Sequence, residues 1–290
     1  MSARKVAVWT GAFGALALVL FVVGTVLDLR VAEAFYLRNN AFADMYEAIG
    51  KMPAFVLLAI AGGIGGRYFA CKFGSKWIAA VFYLLTYAVC AFNFKDATDL
   101  LTDSTALSLA ACAVLGAVLA CVVCFATARV AEERLFAYFK WAVAVAVAVV
   151  ATGVLVFAVK EIFARARYLD VVDGAAEFAP WYKFVRVDGG DSMPSGHTAY
   201  TAMLFMLVPL AAINPRLRGK ESALSVLAIA ATLVTALARI SDGHHYLTDV
   251  AAAMLIAVAV QAATIFAMYG KRADALEFKR FLRPKTEAAA

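Results

Sequence analysis

The chain has 290 residues, 64% of them hydrophobic and 17% charged, with a formal net charge of +6. Soluble domains are nearer half apolar, so this composition excludes intrinsic disorder and argues against a water-soluble enzyme, which could not hide so much apolar surface. The basic balance fits the cytoplasmic loops of a membrane protein. No basic run with interleaved aromatics marks a nucleic-acid surface, and no nucleic-acid partner is expected.

A helical span takes about 20 residues. Apolar runs of that kind occur at Val6 to Leu27, Pro53 to Phe69, Trp77 to Phe94, Ala106 to Ala128, Trp141 to Val159, Gly196 to Ile213, Ala223 to Ile240 and Tyr246 to Tyr269. They predict an all-α, polytopic integral membrane bundle of about eight transmembrane helices. The first run is too long for a usual signal core and reads as an uncleaved anchor. The second is the weakest, being short and interrupted by Gly62, Gly63, Gly65 and Gly66. Between the first two runs, Val31, Phe35, Phe42, Met45 and Ile49 permit an amphipathic interfacial helix within Asp28 to Met52. Cys71, Cys90, Cys112, Cys121 and Cys124 lie in or beside apolar runs without the spacing of a metal site or disulfide framework, and read as small core residues.

Loop charge orients these spans. With the N-terminus cytoplasmic, the inside connections carry Arg4 and Lys5; Arg67, Lys72 and Lys76; Arg129, Arg134 and Lys140; and Arg216, Arg218 and Lys220. A basic cytoplasmic tail over 271–290 adds Lys271, Arg272, Lys279, Arg280, Arg283 and Lys285. The turn from Lys95 to Asp103, on the outer side in this arrangement, is mainly acidic. The positive-inside rule therefore favours eight spans with both termini inside. Residues 1–270 form the membrane domain on this reading.

The chemistry-bearing residues gather at span boundaries on the extracytoplasmic side. His245 and Asp249 are four apart, on one helical face. A carboxylate on one imidazole nitrogen would leave the other as a nucleophile, although Asp249 could equally just stabilise the first helical turn. Ser195 is a good N-cap, and the free amides from Gly196 onward suit a phosphate. His197 beside them could protonate a leaving oxygen. Lys160, Arg167 and Arg239 suit a multiply charged anion if they converge; singly, each reads as a snorkelling boundary residue. Arg165 and Arg186 read as solvated or headgroup-facing charges.

Together these residues resemble the type 2 phosphatidic acid phosphatase superfamily, whose site is shared with vanadium haloperoxidases and bacterial class A acid phosphatases. The first family motif is Lys, six residues, Arg-Pro; here it is Lys160 to Arg167, with Tyr168 replacing the proline. The second is intact as Pro194-Ser195-Gly196-His197. The third, Ser-Arg, five residues, His, three residues, Asp, is carried by Arg239, His245 and Asp249, with Ala238 replacing the serine. The motif-bearing core runs from about 141 to 269, in the C-terminal half.

The resemblance implies a membrane lipid phosphatase. His245 would attack phosphorus to form a phosphohistidine, Asp249 would orient it, and His197 would protonate the leaving oxygen and then activate water. Lys160, Arg167, Arg239, Ser195 and the Gly196 amide would hold the phosphoryl oxygens. No cofactor and no metal are implied, and a bell-shaped pH–rate profile is expected. Undecaprenyl pyrophosphate, phosphatidylglycerol phosphate, phosphatidic acid and lipid A are the substrate classes of bacterial relatives. The eight-span count and the absence of a long soluble domain suggest a prokaryotic inner or plasma membrane protein. The rivals are a lipid phosphotransferase with the same His–Asp site and a non-catalytic lipid transporter. Phe178, Trp181, Tyr182 and Phe184, between Tyr168 and Met193, read either as a lipid gate or as packed core.

Overall fold

The computed structural model describes residues 3–269; the basic tail lies outside them. Among the described residues there are helices and no strands. The helices are α1 (Ala3–Phe35), α2 (Ala41–Ile49), α3 (Met52–Phe73), α4 (Lys76–Phe92), α5 (Lys95–Asp99), α6 (Thr105–Ala128), α7 (Glu132–Phe163), α8 (Tyr168–Val172), α9 (Gly196–Ala202), α10 (Leu207–Leu210), α11 (Glu221–Ser241) and α12 (Leu247–Tyr269). Among the described residues, seven helical stretches are long and apolar enough to cross a membrane. Their outward faces carry apolar side chains such as Val26, Leu84, Val118 and Phe157. A surface of that kind is stable against lipid, and the protein is an integral membrane protein of the all-α class.

The exception to the expected eight is the sixth run. It breaks into α9, a 3₁₀ turn at Met203–Met206 and α10, with Pro209 in its last turn. Proline withholds the amide that a continuous helix would bond. Carbonyls near the break find side chains instead. Trp141 Nε1 donates to the Met206 carbonyl at 2.8 Å, and Gln261 Nε2 to that of Ala202 at 2.8 Å. The fragment is deeply enclosed: Ala199, Ala202, Met203, Met206 and Val208 have no exposed surface. The glycine-rich second run, in contrast, forms an unbroken 22-residue helix. Its glycines let α4 approach, since a Cβ on Gly62 would collide with the Thr86 hydroxyl.

Bonds between connecting segments define one end of the bundle. Leu37 N donates to the Ser241 carbonyl and Leu169 N to that of Gly243, both at 2.9 Å. Lys51 pairs with Asp96 at 2.8 Å, and Arg38 with Asp173. At the opposite end, Lys5 lies 4.0 Å from Glu221 and Trp9 Nε1 donates to Ser222. The fragment from Gly196 and the turns after it thus run from the first end to the start of α11. The amphipathic helix expected after α1 is shorter than its pattern permitted, because α1 continues through Val31 and Phe35; α2 keeps Phe42, Met45 and Ile49 exposed.

Trp141→Phe keeps most of the ring but removes the donor to Met206. The loss of that buried bond should cost about 1–3 kcal/mol, read as a lower unfolding midpoint in detergent.

Candidate active site

The ends of α7 and α11 and the starts of α9 and α12 meet at the first end of the bundle. α7 finishes with Lys160 in its last turn and stops at Ala164, whose φ of 41° is left-handed. The turn sends Arg165 into the protein and leaves Arg167 half-buried. α11 ends with Arg239 in its last turn, and a short turn through His244 and His245 leads into α12, with Asp249 in its first turn. α9 starts at Gly196, capped by Ser195, which accepts from Thr198 N at 3.4 Å.

His245 is buried, and its Nδ1 lies 2.5 Å from the Ser192 carbonyl. A carbonyl only accepts, so Nδ1 carries the proton and Nε2 keeps its lone pair. Burial, then the cations Arg239 and Lys160, hold this imidazole well below its ordinary pKa. Asp249 does not take the direct role that its spacing suggested. Its carboxylate accepts from Arg165 Nη1 at 2.7 Å, from the Ser192 hydroxyl at 2.6 Å and from Tyr246 N at 2.8 Å. The buried Arg165 draws one oxygen away, and Ser192 stands between the other and the imidazole. Asp249 therefore reaches His245 through Ser192, whose side chain it holds and whose carbonyl meets the ring.

Arg165 is also where the sequence reading needs correcting. It is 3% exposed, not solvated, and Nη2 bonds Asp28 of α1 at 3.0 Å. Asp28 also accepts from Thr248 N at 2.8 Å and from the Thr248 hydroxyl. The guanidinium lies over the Tyr246 ring, 4.0 Å from its centroid. Arg186 is exposed, as expected.

The three expected phosphate-binding cations all meet carboxylates. Arg167 grips Asp191 through two bonds of 2.7 and 2.9 Å, and Lys160 Nζ lies 3.4 Å from the same carboxylate. Burial alone would raise the Asp191 carboxyl; Arg167 and Lys160 outweigh it and hold it below the usual value. Arg239 pairs through Nη1 with Asp242 at 2.7 Å and with Glu47 of α2. Its buried Nε has no partner among the described residues. His197 is buried and its Nε2 donates to the Glu47 carbonyl at 3.2 Å, so here the proton is on Nε2. Ser195 accepts from Thr198 twice, which leaves its own hydroxyl hydrogen free to donate.

Arg239 is the hub that links the histidines. Glu47 bridges the Arg239 guanidinium to His197, and the Arg239 carbonyl accepts from His245 N at 3.1 Å. Asp191 and Ser192, adjacent in sequence, link the Lys160–Arg167 pair to His245. His244 is half-buried, with Nδ1 3.1 Å from Asp242. The two motif departures are both buried. Tyr168 occupies the first position of α8, where proline would also fit, and packs edge-on against Tyr36 and Tyr246. Ala238 is fully enclosed in α11. Of the aromatics expected to gate or pack, Phe178 and Trp181 pack on Tyr246 and Phe21, while Tyr182 and Phe184 are exposed.

Spacing gave no sign of Asp28, Glu47, Asp191 or Ser192. The only available signal was the cost of isolated charges at span boundaries, which applied to Asp28 as much as to the motif residues.

Arg165→Met would leave Asp28 and Asp249 buried without their cation. Breaking such a cluster from one side should cost about 3–5 kcal/mol, with Arg165→Lys between it and the wild type in thermal unfolding in detergent.

Comparison with known proteins bears on this arrangement directly. Residues 140–273 match the family model of the PAP2 superfamily. No curated protein and no solved structure matches the chain. The matched stretch holds all three motifs and Arg165, whereas Asp28 and Glu47 precede it. Residues 140–273 are thus similar to the PAP2 superfamily, whose members are phosphatases that act on phosphate esters.

Proposed function

We propose that the protein is a lipid phosphatase that removes a terminal phosphoryl group through a phosphohistidine on His245. The observation that carries this reading is the opposite tautomer of two buried neutral imidazoles: the contacts leave a lone pair on Nε2 of His245 and a proton on Nε2 of His197. The nucleophile needs that lone pair, and His197 becomes the acid once it gains a second proton.

His245 Nε2 attacks phosphorus, and the bond from phosphorus to the lipid oxygen breaks. His197 gives its proton to that leaving oxygen. A phosphate anion beside His197 favours the imidazolium form that can do so. Water then attacks the phosphohistidine while His197 takes its proton back, and inorganic phosphate and neutral His245 are regenerated. Lys160, Arg167 and Arg239 stabilise charge on the equatorial oxygens, with Ser195 and the Gly196 amide beside them. Asp249 acts on His245 through Ser192.

A lipid substrate is favoured because the site lies at one end of a bundle whose sides are apolar. A headgroup phosphate could enter while its tails stay in the bilayer. The basic connections fall at the other end, so we place the site on the extracytoplasmic face with both termini inside. A polyprenyl pyrophosphate is the first substrate class and a glycerophospholipid phosphate the second.

The test is phosphate release by purified protein in detergent, across undecaprenyl pyrophosphate, phosphatidylglycerol phosphate, phosphatidic acid and lipid A. Release should persist in chelator, be blocked by vanadate, and fall by at least about a thousandfold in His245→Ala. Activity that survives this substitution would overturn the mechanism, and a need for an added acceptor would mark transfer in place of hydrolysis.

The low pKa of His245 sets the acid limb of the rate. The imidazole must be unprotonated to attack, and its folded value is depressed. The acid limb of kcat/KM should therefore fall below pH ~6.5, the ordinary imidazole value. A profile of kcat/KM against pH checks this.

A further inference from the structure

Glu47 lies outside all three motifs and outside the stretch that matches the superfamily, yet it reaches two of the residues proposed to handle phosphate. Its carboxylate pairs with Arg239 Nη1, its other oxygen lies 3.8 Å from His197 Nε2, and its carbonyl accepts from the same nitrogen. α2 is held tightly enough for these contacts to be specific. The Thr201 hydroxyl donates to the Gly50 carbonyl at 2.6 Å, and Asn40 donates to Ser241 at 2.8 Å. Gly50 sits directly on the His197 ring: a Cβ there would lie 3.1 Å from its Cδ2 and 2.6 Å from the Tyr46 carbonyl.

Three cations and three carboxylates balance one another in the site. The carboxylates differ in how firmly they are held. Asp191 is gripped by two bonds to Arg167 and flanked by Lys160. Asp242 belongs to the end of α11 and also accepts from His244 N at 2.9 Å. The Glu47 carboxylate has Arg239 as its hydrogen-bond partner, where Asp191 has two bonds to Arg167, and it stands on a nine-residue helix. It is the one that an incoming anion can replace with least disruption. Arg239 keeps an unsatisfied Nε, so its donor set is not filled by Glu47 and Asp242.

We propose that Glu47 is an internal anion that occupies Arg239 in the empty site and competes with an incoming phosphate, so that it sets the affinity of the site. The inference rests on the phosphatase reading and deepens it. A terminal phosphoryl group carries up to two negative charges, so exchanging it for the Glu47 carboxylate brings more negative charge to Arg239, Lys160 and Arg167. A phosphodiester carries one charge, so the same exchange gains nothing in Coulomb terms. Ligand charge ranks the two ligands, and the cost of displacing Glu47 falls equally on both.

The experiment compares wild type, Glu47→Gln and Glu47→Asp in detergent. Glutamine keeps the size and the main-chain carbonyl contact to His197 but removes the charge. KM for phosphatidic acid should fall about five- to tenfold in Glu47→Gln, the scale of a half-exposed ion pair. The inhibition constant of a diester, phosphatidylglycerol, should fall by a similar factor, because either ligand has to displace the same carboxylate. Glu47→Asp, which keeps the charge, should stay near the wild type. An unchanged or raised KM, or a collapse of kcat, would overturn the inference. Calorimetric titration with inorganic phosphate separates the two levels of argument. Tighter binding by Glu47→Gln supports the inference; equal binding by both proteins sinks it alone; binding by neither sinks the functional reading as well.

Discussion

A buried guanidinium holds this site together. Arg165 lies almost wholly inside an apolar bundle, where a lone charge is strongly unfavourable. Its hydrogens are met by Asp28 of α1, Asp249 and Thr248 of α12, and the Ala179 carbonyl. None of these groups could be desolvated by itself. The first helix, the turn after α7 and the start of α12 must come together for any of their charges to be buried. α1 is thus more than a membrane anchor, because it supplies one side of the cluster that fixes Asp249.

From that cluster, order passes to the proposed nucleophile through one residue. Asp249 binds the Ser192 hydroxyl, and the Ser192 carbonyl binds His245. A neutral carbonyl fixes the tautomer as firmly as a carboxylate would, since both only accept. It stabilises a positive imidazole less, because it brings no net charge. The anionic contribution of Asp249 is therefore felt at longer range, and Arg165 on its other oxygen offsets part of it. These contacts fit an imidazole that stays neutral in the empty site and rises in basicity only when phosphate arrives.

The parts legible in the sequence were those set by local spacing. Apolar runs marked the long helices, and the motifs placed Lys160, Arg239, His197 and His245 at helix ends, where the fold brings them to one end of the bundle. Pairings between distant segments were not legible. Asp28 and Arg165 are 137 residues apart, and Glu47 and Arg239 are 192 apart. Arg165 was misread because it stands two residues before Arg167 in a segment that looked like a boundary loop; the left-handed Ala164 gives the two arginines opposite surroundings. The sixth run failed as a continuous helix for a different reason. Its apolar character reflects enclosure by the rest of the protein, and Trp141 and Gln261 supply what a regular helix would have supplied itself.

The charge balance also gives the amphipathic helix α2 a role beyond lying at the interface. One face exposes Phe42, Met45 and Ile49, and another sends Glu47 onto Arg239. Cations gathered in a poorly solvated pocket repel one another when the pocket is empty, so some anion must stand among them. An anion on a rigid core element would obstruct the substrate permanently. One on a short helix with an apolar outer face can withdraw while that helix stays docked in lipid. The arrangement ties the electrostatic state of the pocket to a short helix outside the long spans, so on the proposed reading the position of α2 bears on how readily a phosphate enters.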